Sequence, residues 1–151
     1  KNLCAVLTRL TETHSDIEVV FPVHPNPNIR DLISRELKRR ERIHLLPALD
    51  YASFITLLKH CRFVISDSGG VQEEAPLFGK RVFIARKTIE RPESIEADLA
   101  ELAPLEDPDR LFHRLSEEIT SNAVISKPEK NPYGDGTAAK QISYILAKEW
   151  T

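Results

Sequence analysis

The chain is poor in cysteine, lacks methionine, has no long apolar run and carries no excess of either charge. Its two cysteines, Cys4 and Cys61, fall in elements that read as unrelated. That argues against a disulfide-stapled secreted domain and favours a cytosolic one. Cys61 adjoins an apolar strand and reads as a buried, inert thiol. No apolar stretch reaches the roughly 20 residues needed to cross a bilayer, and no signal peptide is read. The 21 basic and 23 acidic residues sum to −2. No broad basic face is therefore offered to nucleic acid or an anionic membrane. His14, His44, His60 and His113 are scattered without metal-ligand spacing, and no metal site is expected. With no methionine anywhere and a helical pattern from the first residues, the chain is expected to be a piece of a longer polypeptide.

What is present is ordinary for a globular protein: 41 % apolar and 29 % charged residues in 151. That suits one domain with a hydrophobic core. Leu3, Val6, Leu7 and Leu10 predict an amphipathic helix over 2–14. Ile17 to Val23 is a nearly continuous apolar run, expected as a strand buried on both faces. His24-Pro25-Asn26-Pro27-Asn28 is a loop, with Asn28 expected to cap a helix through about Lys38. Arg42 to Leu46 is a second strand. Asp50 caps a third helix bearing the stripe Phe54, Leu57, Leu58, Cys61. Phe63 to Ser66 is a third strand, followed by Asp67-Ser68-Gly69-Gly70 and a helix ending near Gly79. Arg81 to Ala85 is a fourth strand, and Glu101 to Leu105 a weak edge strand. A helix begins at Asp107 or Pro108. Another runs from about Thr137 to Trp150, with Ala138, Ile142, Ile145 and Leu146 expected to face inward. Strands alternating with helices across short connections predict an α/β fold with a doubly wound, mostly parallel, Rossmann-like sheet.

In such a sheet ligands bind beyond the carboxyl ends of the strands. Ser66 to Gly70 is the stronger candidate: a strand delivers the chain to a serine and two glycines at a helix start. Glycine lets backbone approach an anion closely, and the opening amides carry partial positive charge. A diphosphate fits that arrangement, and the Ser68 hydroxyl adds a donor. Glu74, about one turn onward, could accept from both hydroxyls of a ribose. The competing account is that Glu73 and Glu74 only complement the helix dipole. Asp67 reads as a local cap or turn former, and Arg86 and Lys87 as a solvated loop on the same sheet edge.

Four segments together resemble the non-hydrolysing UDP-N-acetylglucosamine 2-epimerases. They are Pro22-Val23-His24-Pro25-Asn26-Pro27-Asn28, Ser68-Gly69-Gly70-Val71-Gln72-Glu73-Glu74-Ala75-Pro76 with the Ser66-Asp67 before it, Glu90-Arg91-Pro92-Glu93, and Asn131-Pro132-Tyr133-Gly134-Asp135-Gly136. They stand in the family's order and spacing over nearly the whole chain. The resemblance implies the second domain of a GT-B-type enzyme, the N-terminal domain lying outside this chain. It assigns Ser68, Gly69 and Gly70 to the diphosphate, Glu74 to the ribose, Arg91 to the phosphate side and Phe54 to the uracil. His24 matches a histidine near the cleft. The implied reaction inverts C2, interconverting UDP-GlcNAc and UDP-ManNAc by elimination and re-addition of UDP. The acid and base are expected mainly in the absent domain, and no cofactor is required. The implied partners are the two nucleotide sugars, the N-terminal domain and, for the full-length protein, a second copy in a homodimer. The family's terminal helix packs on the first domain, so Trp150 reads as an anchor and an apolar patch is expected here without that domain. Two departures stand out: Asp98-Leu99 replaces the usual Gly-Thr, and Arg86-Lys87-Thr88-Ile89 replaces Arg-Asp-Thr-Thr. Two other readings stay open, a UDP-sugar glycosyltransferase of the same architecture and a non-catalytic nucleotide-sugar sensor.

Overall fold

The computed structural model describes residues 1–89, 91–121 and 131–149. Glu90 and Trp150, each given a place above, lie outside them. Backbone contacts divide the chain into two compact units. The first comprises Lys1–Arg62 and the chain from Ala103 on into the helix that follows; the second comprises Phe63–Leu102 and the C-terminal helix.

In the first unit, helix α1 (Asn2–Thr13) precedes strand β1 (Val19–Pro22), helix α2 (Pro27–Leu37), strand β2 (Ile43–Leu46) and helix α3 (Tyr51–His60). β1 and β2 are parallel, with Val19 opposite Ile43 and Pro22 opposite Leu46. Cys4, Val6, Leu7 and Leu10 bury one face of α1, packed against α2 and α6 (Pro108–Thr120). Leu111, Phe112, Leu115 and Ile119 supply the matching face of α6. Arg9 closes this seam, bonding Asp109 at 2.7 Å and lying 3.7 Å over the Phe112 ring. Burial pushes the Cys4 thiol up, which keeps it protonated and unreactive. Cys61 is only partly buried, its Sγ 3.2 Å from the Leu58 carbonyl.

Three expectations change here. β1 is shorter than the apolar run and not closed on both faces: Val20 remains 37 % exposed, in a strand that pairs with β2 alone among the described residues. Asn26, not Asn28, caps α2; its side chain accepts the Asn28 amide at 3.0 Å, because Pro27 at the first helical position has no N–H to offer. On α3 the expected stripe narrows to Leu58, the one fully buried side chain of that helix.

The cap of α3 is as expected. Asp50 accepts from the Ser53 amide at 2.9 Å and its hydroxyl at 2.7 Å, and the amide bond above all holds the carboxyl below its ordinary value. A lowered folded-state pKa gives stability that is present above the unfolded value, about 4, and is lost as pH falls through the folded value. Acid unfolding of wild type should therefore lose this support below about pH 4. Asp50→Asn, which keeps an acceptor, should flatten that part of a pH–stability curve measured by urea titration. Identical curves would refute it.

In the second unit, strands β3 (Val64–Ser66), β4 (Val82–Ile84) and β5 (Ala100–Leu102) form one parallel sheet in the order β3-β4-β5. β4 lies between the other two, and all three of its residues are buried. Phe83 is fully buried and meets Phe63 edge-on at 5.2 Å. Helix α4 (Gly69–Glu74) runs into a 3-10 turn over Ala75–Phe78. Pro76 cannot donate to an α-helical ladder, and Gly79 ends the turn at φ 67°, a conformation that favours glycine.

Helix α5 (Pro92–Glu96) leads into β5 through Asp98, which adopts φ 54°. This is where the family resemblance leads one to expect glycine, and the left-handed backbone explains why. Aspartate is among the few side chains that tolerate it. Here its carboxylate also bonds Arg81 at 3.1 Å, so the departure is absorbed locally.

The last helix, α7 (Ala138–Glu149), follows a turn in which Gly134 and Gly136 take φ 104° and 80°. Asp135 accepts from the Thr137 hydroxyl at 2.6 Å and amide at 3.0 Å, which lowers its pKa. The expectation that the apolar residues of α7 face inward is overturned. Ala138 is exposed, and Ile142, Tyr144, Ile145 and Leu146 are each more than half exposed.

Candidate functional site

β3 and β4 end side by side, with Ser66 opposite Ile84 and the Ala85 amide bonded to the Ser66 carbonyl at 2.9 Å. The segments after them, 67–70 and 85–89, therefore leave the sheet at the same edge. Ser68 has extended backbone and caps α4 without a side-chain bond of its own. Its amide is held by the Ser66 hydroxyl at 3.1 Å. The first ladder bond of α4 is from Gln72 to the Ser68 carbonyl, at 3.3 Å. The amides of Gly69, Gly70 and Val71 have no acceptor among the described residues. Ser68 and Gly70 are exposed. The turn thus reaches the surface fully at Gly70 and partly at Gly69 and Val71, and its opening donors carry the partial positive end of the helix.

Three side chains shape this turn from the protein side. Gln72 is fully buried and donates from Nε2 to the Ser68 carbonyl at 3.4 Å; its Oε1 has no partner among the described residues. Arg86 donates from Nε to the Asp67 carbonyl at 2.6 Å. This surface bond ties the Arg86 loop to the turn; of the two roles read for Asp67, the cap position goes to Ser68, and Asp67 takes part in the turn through its carbonyl. Arg91 holds the N-cap position of α5, and its carbonyl accepts from the buried Ser94 hydroxyl at 3.2 Å.

The Arg91 guanidinium lies against Gly69. A Cβ there would stand 3.2 Å from both Cζ and Nη2 and 3.4 Å from Nη1. At Gly70 a Cβ would meet only the Ser68 hydroxyl, at 3.9 Å. The two glycines therefore do different work. Gly69 makes room for a cation beside the turn, whereas Gly70 keeps its open side clear. Neither takes positive φ, so the need is for space rather than for an unusual backbone.

Glu73 and Glu74 close the six-residue helix at its C-terminal end, where the dipole disfavours acids. The dipole account of this pair therefore fails. Glu73 accepts from Arg91 Nε at 2.5 Å. Glu74, half-buried, stands five residues past Gly69, about 7.5 Å along the helix axis.

The second unit thus brings Ser68, Gly69, Gly70 and Arg91 together, with Glu74 on the same helix. Phe54 and His24 belong to the first unit. Phe54 is half-buried on α3. His24 is exposed, and its Nδ1 accepts the Asn26 amide at 3.1 Å. Among the described residues no helix is long and apolar enough to cross a membrane, and no three His, Cys, Asp or Glu side chains cluster as metal ligands.

Parallel strands alternating with helices, with a glycine-opened turn past the end of β3, define a Rossmann-like α/β fold. The chain matches the family description UDP-N-acetylglucosamine 2-epimerase over residues 1–147, and it belongs to that family. It is 40 % identical to UDP-N-acetylglucosamine 2-epimerase of Salmonella borreze, over 99 % of this chain and 40 % of that protein. It is 37 % identical to the Escherichia coli K12 enzyme of the same name, over 97 % of this chain and 39 % of that one. Among solved structures, UDP-GlcNAc 2-epimerase from Neisseria meningitidis bound to UDP-GlcNAc superposes with TM-score 0.88 at 33 % identity, covering 97 % of this chain and 40 % of that one. The S. aureus MnaA–UDP co-structure gives 0.86 at 33 % identity, with 97 % and 41 % covered. The chain therefore spans about two fifths of the length of these relatives.

Proposed function

We propose that this chain binds the UDP portion of a nucleotide sugar, as the nucleotide-binding domain of an enzyme that interconverts UDP-GlcNAc and UDP-ManNAc. The diphosphate sits on the opening amides of α4 with the Ser68 hydroxyl, Arg91 neutralises it from the Gly69 side, and Glu74 takes the ribose hydroxyls. The observation that carries this reading is the Arg91 guanidinium set against Gly69, beside amides with no acceptor among the described residues. A cation, helix-opening N–H groups and a hydroxyl on one turn form a receptor for a doubly charged anion. Relatives solved with UDP and with UDP-GlcNAc support the choice of ligand.

In the reaction, C2 inversion proceeds through loss and return of UDP. Stabilising that leaving group is the task these residues suit, because Arg91 and the amides meet the negative charge that develops as the C1–O bond breaks. Removal of the C2 proton falls to carboxylates in the remainder of the polypeptide. The 151-residue chain alone is accordingly inactive as an epimerase. Calorimetric titration tests the reading: wild type binds UDP, and Glu74→Ala binds it about tenfold or more weakly, since hydrogen bonds to a charged group contribute about 1.5–3 kcal/mol. Equal affinities, or UDP-ManNAc formed from UDP-GlcNAc by the chain alone, would overturn it.

A further inference from the structure

The tandem acids at the end of α4 do different things. Successive helical residues point about 100° apart, so one turn can present Glu74 to a ligand and Glu73 to a neighbour. Glu73 Oε1 lies 2.5 Å from Arg91 Nε. The backbone end of the same arginine is held by Ser94, which is fully buried and donates to the Arg91 carbonyl at 3.2 Å. Arg91 is thus fixed at both ends. Its Nε side is engaged by Glu73, and its Cζ, Nη1 and Nη2 are laid along Gly69. An arginine chain otherwise has about 2 kcal/mol of rotamer freedom to lose on ordering.

We propose that Glu73 is a positioning residue for anion binding: it holds the Arg91 guanidinium against Gly69, so that the cation is already in place when a diphosphate arrives. This rests on the reading of the α4 turn as a UDP site. It carries a sign that a purely electrostatic role would not. Glu73 is negative and stands beside a proposed phosphate site, so by charge alone its removal should tighten anion binding. As an anchor, its removal should weaken binding, because the guanidinium then loses the contact that holds its Nε side and must be ordered further as the ligand binds.

The test is titration of the 151-residue chain with UDP and, separately, with uridine, for wild type, Glu73→Ala, Glu73→Gln, Arg91→Ala and the double variant Glu73→Ala/Arg91→Ala, with circular dichroism confirming the fold of each. Glu73→Ala should weaken UDP binding about five- to tenfold, the size of a coupling between contacting residues, and leave uridine binding unchanged. Glu73→Gln should bind UDP at least as well as wild type within about twofold, since its amide oxygen still accepts from Nε. In the Arg91→Ala background, Glu73→Ala should add nothing. Tighter or unchanged UDP binding by Glu73→Ala, or an equal loss with Arg91 already removed, overturns the positioning role alone. Failure of wild type to bind UDP overturns the site reading and this inference with it.

Discussion

Gly69→Val is expected to weaken UDP binding by roughly tenfold to a hundredfold while the chain keeps its fold. The range corresponds to losing about 1.5–3 kcal/mol of charge-assisted hydrogen bonding. Two effects add. The branched side chain meets Arg91 at its root, where even a first carbon would lie 3.2 Å from Cζ and Nη2. It also stands where an anion must come close to backbone. Neither effect reaches the core, because the atoms in the way are the guanidinium of a partly exposed side chain rather than buried packing. Thermal unfolding should therefore move little. Val and Gly differ only slightly in helix propensity, in valine's favour. Retained affinity would show that the cation and the amides do not act on one ligand.

Phe83→Ala should have the largest effect on stability, about 3–5 kcal/mol, the usual loss for a buried aromatic truncated to alanine. Phe83 has no exposed surface, lies on the central strand of its sheet and stacks edge-on against Phe63. A cavity there opens in a close-packed interior beside the central strand and cannot close readily. Whole domains have only about 5–15 kcal/mol to lose, so the variant should unfold at a much lower urea concentration than wild type. Phe83→Leu, which fills more of the space, should recover a large part of the loss. Urea titration measures both, and a change below about 1 kcal/mol for the alanine variant would mean that β4 is not the centre of its unit.

The link between these predictions is legible in the sequence only in part. The strand into Ser66 and the helix opened by two glycines follow from local chemistry, because apolar β-branched residues and missing side chains constrain backbone without reference to distant partners. The roles of Glu73 and Arg86 do not. Their partners, Arg91 and the Asp67 carbonyl, lie 18 and 19 residues away in sequence, and no periodicity encodes a contact across a parallel crossover. Asn28 is the expected cap, but Asn26 takes the place because Pro27 fits the first helical position. Periodicity in α7 identified an apolar face correctly but could not say what that face would meet, and Ile142, Ile145 and Leu146 stand exposed. Asp98 shows the reverse case: it stands where the resemblance leads one to expect glycine, yet the left-handed backbone persists with an ion pair to Arg81.

The central claim is that a diphosphate is gripped by the opening amides of α4. The most direct measurement is a UDP titration of the isotope-labelled chain followed by amide resonances. The account predicts that the Gly69, Gly70 and Val71 amides shift most, moving downfield as hydrogen bonds to phosphate form, and that inorganic pyrophosphate reproduces those shifts. Saturable UDP binding that leaves these three amides unmoved, with its largest shifts elsewhere, would contradict it.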